Sequence, residues 1–104
     1  MFQKIKMPSL SRDRYALCKS NDRFVYASGG TDGNNQMTAD NKVMRLDVAL
    51  KKWESIQPMN GPRFNHASEF LGNSIYVFCG SGNDFLTELN SIESLNLTEY
   101  KYWP

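Results

Sequence analysis

The side chains able to do chemistry are few in this sequence, and their spacing builds no catalytic site. His66 is the single histidine, so a metal site made of several histidines cannot form. Gly80-Ser81-Gly82 lacks the following helix that a phosphate-binding glycine loop requires. Four acidic residues show no pairing that is evident from their spacing: Asp84, Glu88, Glu93 and Glu99. The sequence therefore predicts a protein that is not an enzyme and holds no metal or cofactor.

Cys18 and Cys79 are the two cysteines, too few for a disulfide framework. Both occur in apolar runs, and a free cysteine there usually behaves as a small packed hydrophobe. The pair predicts reduced, packed thiols in a cytoplasmic protein.

Charge and hydropathy exclude two classes of partner. The net charge is only +1, which argues against a nucleic-acid surface. No apolar stretch approaches the roughly 20 residues of a membrane helix. The charge is uneven, however, at +5 over residues 1–53 and −4 over residues 54–104. Either these charges are scattered over solvated loops, or a basic unit and an acidic unit stack head to tail.

The elements that position these side chains follow from a pattern that occurs twice, about 50 residues apart. The first copy contains Arg12, Tyr15-Ala16, Phe24-Val25-Tyr26, Gly29-Gly30, Asn41-Lys42-Val43, Leu46-Asp47 and Trp53. The second contains Arg63, His66-Ala67, Ile75-Tyr76-Val77, Gly80-Ser81, Asn90-Ser91-Ile92, Leu95-Asn96 and Trp103. A strand-rich repeat of this length is the period of a propeller blade.

The second strand of each copy is apolar at successive positions, over residues 24–27 and 75–78. Neighbouring residues of a strand point to opposite faces, so both faces of these strands are expected to be buried. Such a strand suits a sheet that lies between two other sheets.

The two copies resemble kelch repeats. They depart from the family pattern at a few positions: Tyr15 replaces a His, Ser81 replaces the second Gly, and Leu46 and Leu95 replace a Tyr. The resemblance implies an all-β fold of kelch-type β-propeller blades, as two four-stranded antiparallel sheets. Repeat 1 covers residues 9–56 and repeat 2 covers residues 57–104. Residues 1–8 then look like the outer-strand tail of a preceding blade.

The resemblance also implies a function, because kelch propellers generally bind protein or peptide partners in a bowl lined by inter-strand loops. It places Arg12 and Arg63 just before the innermost strands, with Arg14 and Asn65 as weaker candidates beside them. A guanidinium binds a carboxylate through two charge-assisted hydrogen bonds, so an acidic peptide is the expected ligand. The alternative is that Arg12 and Arg63 only bridge neighbouring blades.

A second alternative is that the chain is a structural two-blade part of a larger kelch protein, such as a ubiquitin ligase adaptor or a cytoskeletal scaffold. Two blades cannot close a ring, so neighbouring blades or further copies of the chain are expected to complete the propeller.

Overall fold

The structure is a computed structural model, and it describes residues 2, 4–5, 14–20, 23–31, 39–82 and 88–100. Seven strands and one short 3-10 helix lie in this part of the chain. The strands are β1 (Ala16–Lys19), β2 (Phe24–Ser28), β3 (Val43–Asp47), β4 (Lys52–Ile56), β5 (Ala67–Leu71), β6 (Ser74–Phe78) and β7 (Ile92–Asn96). The 3-10 helix (Leu97–Tyr100) follows β7.

The strands form two antiparallel sheets in chain order, β1-β2-β3-β4 and β5-β6-β7. The prediction of an all-β fold with kelch-type blades is therefore confirmed. The second sheet has three strands among the described residues. The predicted fourth strand with Trp103 lies outside them, as do most of residues 1–8.

Short polar residues close the turns within each sheet. Between β1 and β2, Ser20 Oγ accepts a hydrogen bond from the Phe24 amide at 3.0 Å. Between β3 and β4, Asp47 Oδ1 accepts one from the Leu50 amide at 3.1 Å. Between β5 and β6, Gly72 takes a φ of 61°, which a residue without a Cβ adopts at little cost. Each of these turns thus joins two consecutive antiparallel strands through a residue that favours a turn conformation.

The main core lies between the two sheets. Tyr26, Val43 and Ile56 come from the first sheet and meet Ile75 and Val77 of β6, together with Met59 from the segment that connects the two sheets. Each such side chain contributes about 1.5–3 kcal/mol when fully buried. The innermost strands β1 and β5 lie against each other at one side of this core.

The expectation that strand two is buried on both faces holds in the first blade only. The adjacent residues Tyr26 and Ala27 of β2 are 2% and 0% exposed. In β6, burial alternates: Ile75 and Val77 are buried against the first blade, whereas Tyr76 and Phe78 on the other face are half-buried. The outer face of the second blade is thus open within the described part of the chain.

Equivalent residues of the two blades are separated by a number of positions that changes along the chain. Ala16 and Ala67 each pair with the last residue of strand two, and they are 51 positions apart. Strand two itself starts at Phe24 and at Ser74, only 50 positions apart. The β1–β2 connection is therefore one residue longer in the first blade.

The predicted match of Gly29-Gly30 with Gly80-Ser81 assumed an offset of 51 and is wrong, because the offset after strand two is 50. Gly29 and Gly30 have φ values of 65° and 102°, and the residues that take left-handed values in the second blade are Cys79 at 58° and Gly80 at 86°. Cys79 therefore replaces the first glycine, and no second glycine is replaced by Ser81. Cys79 is also exposed after the end of β6, so the prediction that it is a packed thiol within a strand is wrong.

Candidate functional site: the blade starts and the blade interface

Two of the predicted site residues come together at the starts of the innermost strands. Arg14 and Asn65 hold equivalent positions two residues before β1 and β5, and both are exposed. The Asn65 amide donates a hydrogen bond of 3.1 Å to the Arg14 carbonyl, which links one blade to the next. The structure thus places a guanidinium-bearing residue and an amide-bearing residue side by side at one end of both blades.

Both residues also have an unusual backbone conformation. Arg14 has a φ of 59° and Asn65 a φ of 54°, in the left-handed region that few residues other than glycine occupy. Such conformations persist where the surrounding structure holds them, and they cluster at binding and active sites. Arg12, the other arginine of the first blade start, lies outside the described residues.

The side chain of Arg63 lies inside the molecule, with 2% of the residue exposed. Its Nε and Nη2 atoms lie 3.3 and 3.1 Å from Glu93 Oε2. Its Nη1 atom donates to the carbonyls of Cys79 and Ser91 at 3.0 and 2.8 Å, and Nη2 also donates to Ser91 Oγ at 2.9 Å. These contacts use the donors of the guanidinium within the second blade. The partner-binding role of Arg63 stays a prediction, and this geometry favours the alternative structural role.

The backbone of Arg63 is bonded to the first blade. Its carbonyl accepts a hydrogen bond from the Gly30 amide at 2.8 Å, and its amide donates to the Asp40 carbonyl at 3.1 Å. Gly29 permits this approach, because a Cβ on it would stand 2.3 Å from the Arg63 carbonyl oxygen. Arg63 therefore ties the two blades together through its main chain and braces the second one through its side chain.

Glu93 is a residue that the sequence reasoning missed, since no pairing was evident from its spacing. Besides Arg63, its carboxylate accepts hydrogen bonds from the amides of Asn60 and Gly61 at 2.6 and 3.4 Å. It thereby fixes the loop that connects the blades. A signal did exist in the repeat: with the 49-residue offset of β3 and β7, Glu93 stands where the first blade has the buried Met44.

His66 also joins the blades. Its Nε2 atom lies 2.9 Å from Ser28 Oγ of β2, and the residue is 9% exposed. Burial, together with the nearby charge of Arg63, lowers the pKa of His66 from 6.5 to about 4, so the imidazole is neutral at pH 7. His66 therefore has a packed structural position between the blades.

Arg45 forms a second buried cationic site that sequence reasoning did not identify. The residue is 4% exposed on the face of β3 that is turned to the second blade. It forms an ion pair with Glu54 of β4, and its guanidinium carbon lies 4.0 Å above the Phe24 ring. These partners offset the cost of burying a charge, so Arg45 supports the sheet rather than a ligand.

A cavity of about 60 Å³ lies between the blades. Its lining includes the apolar residues Val43, Met59 and Ile75 and the polar residues Ser28 and Glu93. Sites for drug-sized ligands measure roughly 300–1,000 Å³, so this cavity suits a few water molecules.

Two further findings concern the described residues alone. They contain no group of three or more His, Cys, Asp or Glu side chains placed to hold a metal ion. Their single short helix is neither long nor apolar enough to span a bilayer.

The chain is similar in sequence to a known family and to several known proteins. Residues 23–60 match the family model described as "Kelch motif". Kelch-like protein 13 of Mus musculus is 29% identical over 76 residues, which cover 73% of this chain and 11% of that protein. Kelch-like protein 9 of Mus musculus is 29% identical over 76 residues, with coverages of 73% and 12%.

A third relative is not named as a kelch-like protein. The leucine-zipper-like transcriptional regulator 1 homolog of Drosophila melanogaster is 27% identical over 81 residues, which cover 75% of this chain and 8% of that protein. The chain thus spans about a tenth of the length of the curated relatives that it matches.

Proposed function

We propose, since this chain belongs to the kelch-repeat family, that it is a protein-interaction module that binds an acidic peptide segment of a partner. Kelch repeats generally serve as interaction modules rather than enzymes, and the proposal includes no catalysis, cofactor or nucleic acid. We also propose that the protein acts in the cytoplasm, in keeping with its two unpaired cysteines.

The observation that carries the proposal is the pair formed by Arg14 and Asn65. Both residues are exposed, both are held in a left-handed conformation, and a hydrogen bond joins them across the blades. Arg14 supplies a cation for a carboxylate, and Asn65 supplies an amide that both donates and accepts. Arg63 holds the segment that presents Asn65, and Arg12 stays in the proposed site as a further cation at the blade start.

The test is a titration of a glutamate-rich peptide against Arg14→Asn, followed by fluorescence anisotropy. Asparagine tolerates the left-handed backbone, so the variant removes the charge without adding strain. We expect Kd to rise about fivefold at low salt, which corresponds to the loss of one exposed charge pair.

Lys51→Asn is the matched control. Lys51 is also basic and exposed and has a φ of 59°, but it lies in the β3–β4 turn at the opposite end of the blade. Equal affinities of the wild type and Arg14→Asn, or an equal loss in both variants, would overturn the proposed site.

The second candidate function is structural: the chain supplies two blades of a larger kelch protein, such as a ubiquitin ligase adaptor or a cytoskeletal scaffold. The observation that favours it is the open outer face of the second blade, where Leu71 and Ile92 are 58% and 59% exposed. A third blade, from a neighbouring segment or from another copy, would cover such a face. If this candidate is correct, the isolated chain binds no acidic peptide, whatever residue stands at position 14.

A further inference from the structure

The innermost strands of the two blades carry opposite charges on their unpaired sides. On β1, Leu17 is 53% exposed and Lys19 is exposed beside it. On β5, Glu69 is exposed and Leu71 is 58% exposed. Neither Lys19 nor Glu69 forms a hydrogen bond or ion pair within the described part of the chain.

The chain itself shows how two innermost strands meet. β1 lies against β5, and Cys18 and Ser68 are neighbours across the contact. Residues alternate between the faces of a strand, so Leu17 and Lys19 point away from β5. For the same reason Glu69 and Leu71 point away from β1. These two pairs are named the β1 outer side and the β5 outer side.

If a second copy of the chain packs on the second blade in the way that the second blade packs on the first, the two outer sides meet. The strands are equivalent with an offset of 51, so Glu69 takes the place of Cys18 and Leu17 of another chain takes the place of Ser68. Lys19 is the next residue on the same side of that β1. This packing therefore places Glu69 opposite Leu17, and the ammonium group of Lys19 lies one position further along the same side, next to the carboxylate.

We propose that the β5 outer side of one copy binds the β1 outer side of a second copy, head to tail, through a Lys19–Glu69 ion pair that Leu17 and Leu71 flank. The charge of the two halves of the chain, +5 and −4, favours the same orientation. The partner is thus a second copy of this chain, and the repeated contact closes a ring or extends a filament.

This inference deepens the propeller-closing part of the second candidate function. Its test measures molecular mass instead of peptide binding, so it fails or succeeds separately from the acidic-peptide site. Sedimentation velocity over a range of concentrations at low salt is expected to show reversible association of the full chain.

Charge-reversal variants make the test specific. Lys19→Glu and Glu69→Lys are each expected to weaken association about fivefold, since a like-charge pair replaces an exposed ion pair. An equimolar mixture of the two is expected to regain association, because every contact between the two kinds of chain joins a lysine to a glutamate. The rescue occurs only between chains, and circular dichroism checks that each variant is folded.

Lys42→Glu and Glu88→Lys serve as matched controls, because both residues are exposed and lie off the two outer sides. Weakening by Lys19→Glu and Glu69→Lys, no weakening by the controls, and rescue in the mixture support the proposal. A wild type that stays monomeric at all concentrations would overturn it. Association that the charge reversals leave unchanged would equally overturn it, and would indicate that another surface, such as the edge of β7, joins the copies.

Discussion

Arg63 makes different contacts with its backbone and its side chain, and this difference bears on its role. The backbone is bonded to Gly30 and Asp40 of the first blade, and the guanidinium is bonded to Glu93 and Ser91 of the second. A buried arginine engaged in this way leaves no donor for an external carboxylate. The sequence showed the arginine and its repeat, but not that a glutamate 30 positions later meets it.

Arg63→Ala is expected to lower the free energy of unfolding by about 3 kcal/mol. The substitution leaves Glu93 partly buried without its cation and removes the donor from two carbonyl groups. Chemical denaturation measures the loss. Arg23→Ala is the comparison: the side chain of Arg23 is 46% exposed, and its partner Asp47 keeps a hydrogen bond from the Leu50 amide, so the loss should be smaller than for Arg63→Ala. If the two losses are equal and only Arg63→Ala abolishes peptide binding, Arg63 is a binding residue and not a structural one.

His66 predicts a pH dependence of stability. Burial lowers its pKa to about 4 in the folded state, whereas the unfolded value is near 6.5. Between these values the unfolded chain binds a proton that the folded chain does not, so stability falls as the pH is lowered from about 6.5 to about 4.

Urea unfolding of the wild type and of His66→Gln, at several pH values, isolates this contribution. Glutamine does not titrate and can still hydrogen-bond Ser28, so the carboxylates contribute equally to both proteins. As the pH falls through this window, the wild type should lose stability relative to the variant. A difference that does not change with pH would show that His66 titrates normally.

At the scale of strands and turns, the sequence predicted more than it did for single side chains. The apolar runs of β2 and β6 and the polar residues between strands located the elements, because burial and turn conformation depend on local residue types. The sequence did not show that the β1–β2 connection is one residue longer than the β5–β6 connection, since Gly29-Gly30 can be matched to the second repeat at an offset of 50 or 51. The left-handed φ of Cys79 supports the offset of 50.

The contact between the blades predicts a difference between two glycines with similar backbone angles. Gly29 has a φ of 65° and Gly72 a φ of 61°, so alanine is strained by about 1–2 kcal/mol at both. A Cβ on Gly29 would in addition stand 2.3 Å from the Arg63 carbonyl, whereas nothing lies within 4 Å of one on Gly72. Gly29→Ala should therefore lower the unfolding free energy clearly more than Gly72→Ala does, as thermal or urea melts can measure. Equal losses would contradict the close approach of the blades at Gly29.

At the scale of the whole molecule, the two blades form one unit with one finished interface. The core between them is closed by apolar side chains from both sheets, by the Arg63 backbone and by the Ser28–His66 contact. The outer face of the second blade stays open in the described structure. The architecture followed from the repeat in the sequence, whereas the contents of the interface did not, because they depend on pairs of residues that are distant along the chain.

We propose that the partner binds at the starts of the innermost strands, where Arg14 and Asn65 lie. Backbone amide NMR spectra of the protein during titration with a glutamate-rich peptide test that assignment most directly. We expect shift changes centred on Arg14 and Asn65 that grow with peptide concentration and weaken with added salt, with the Lys51 turn unchanged as an internal control. Shift changes centred on the Lys51 turn, or none at all at saturating peptide, would contradict it.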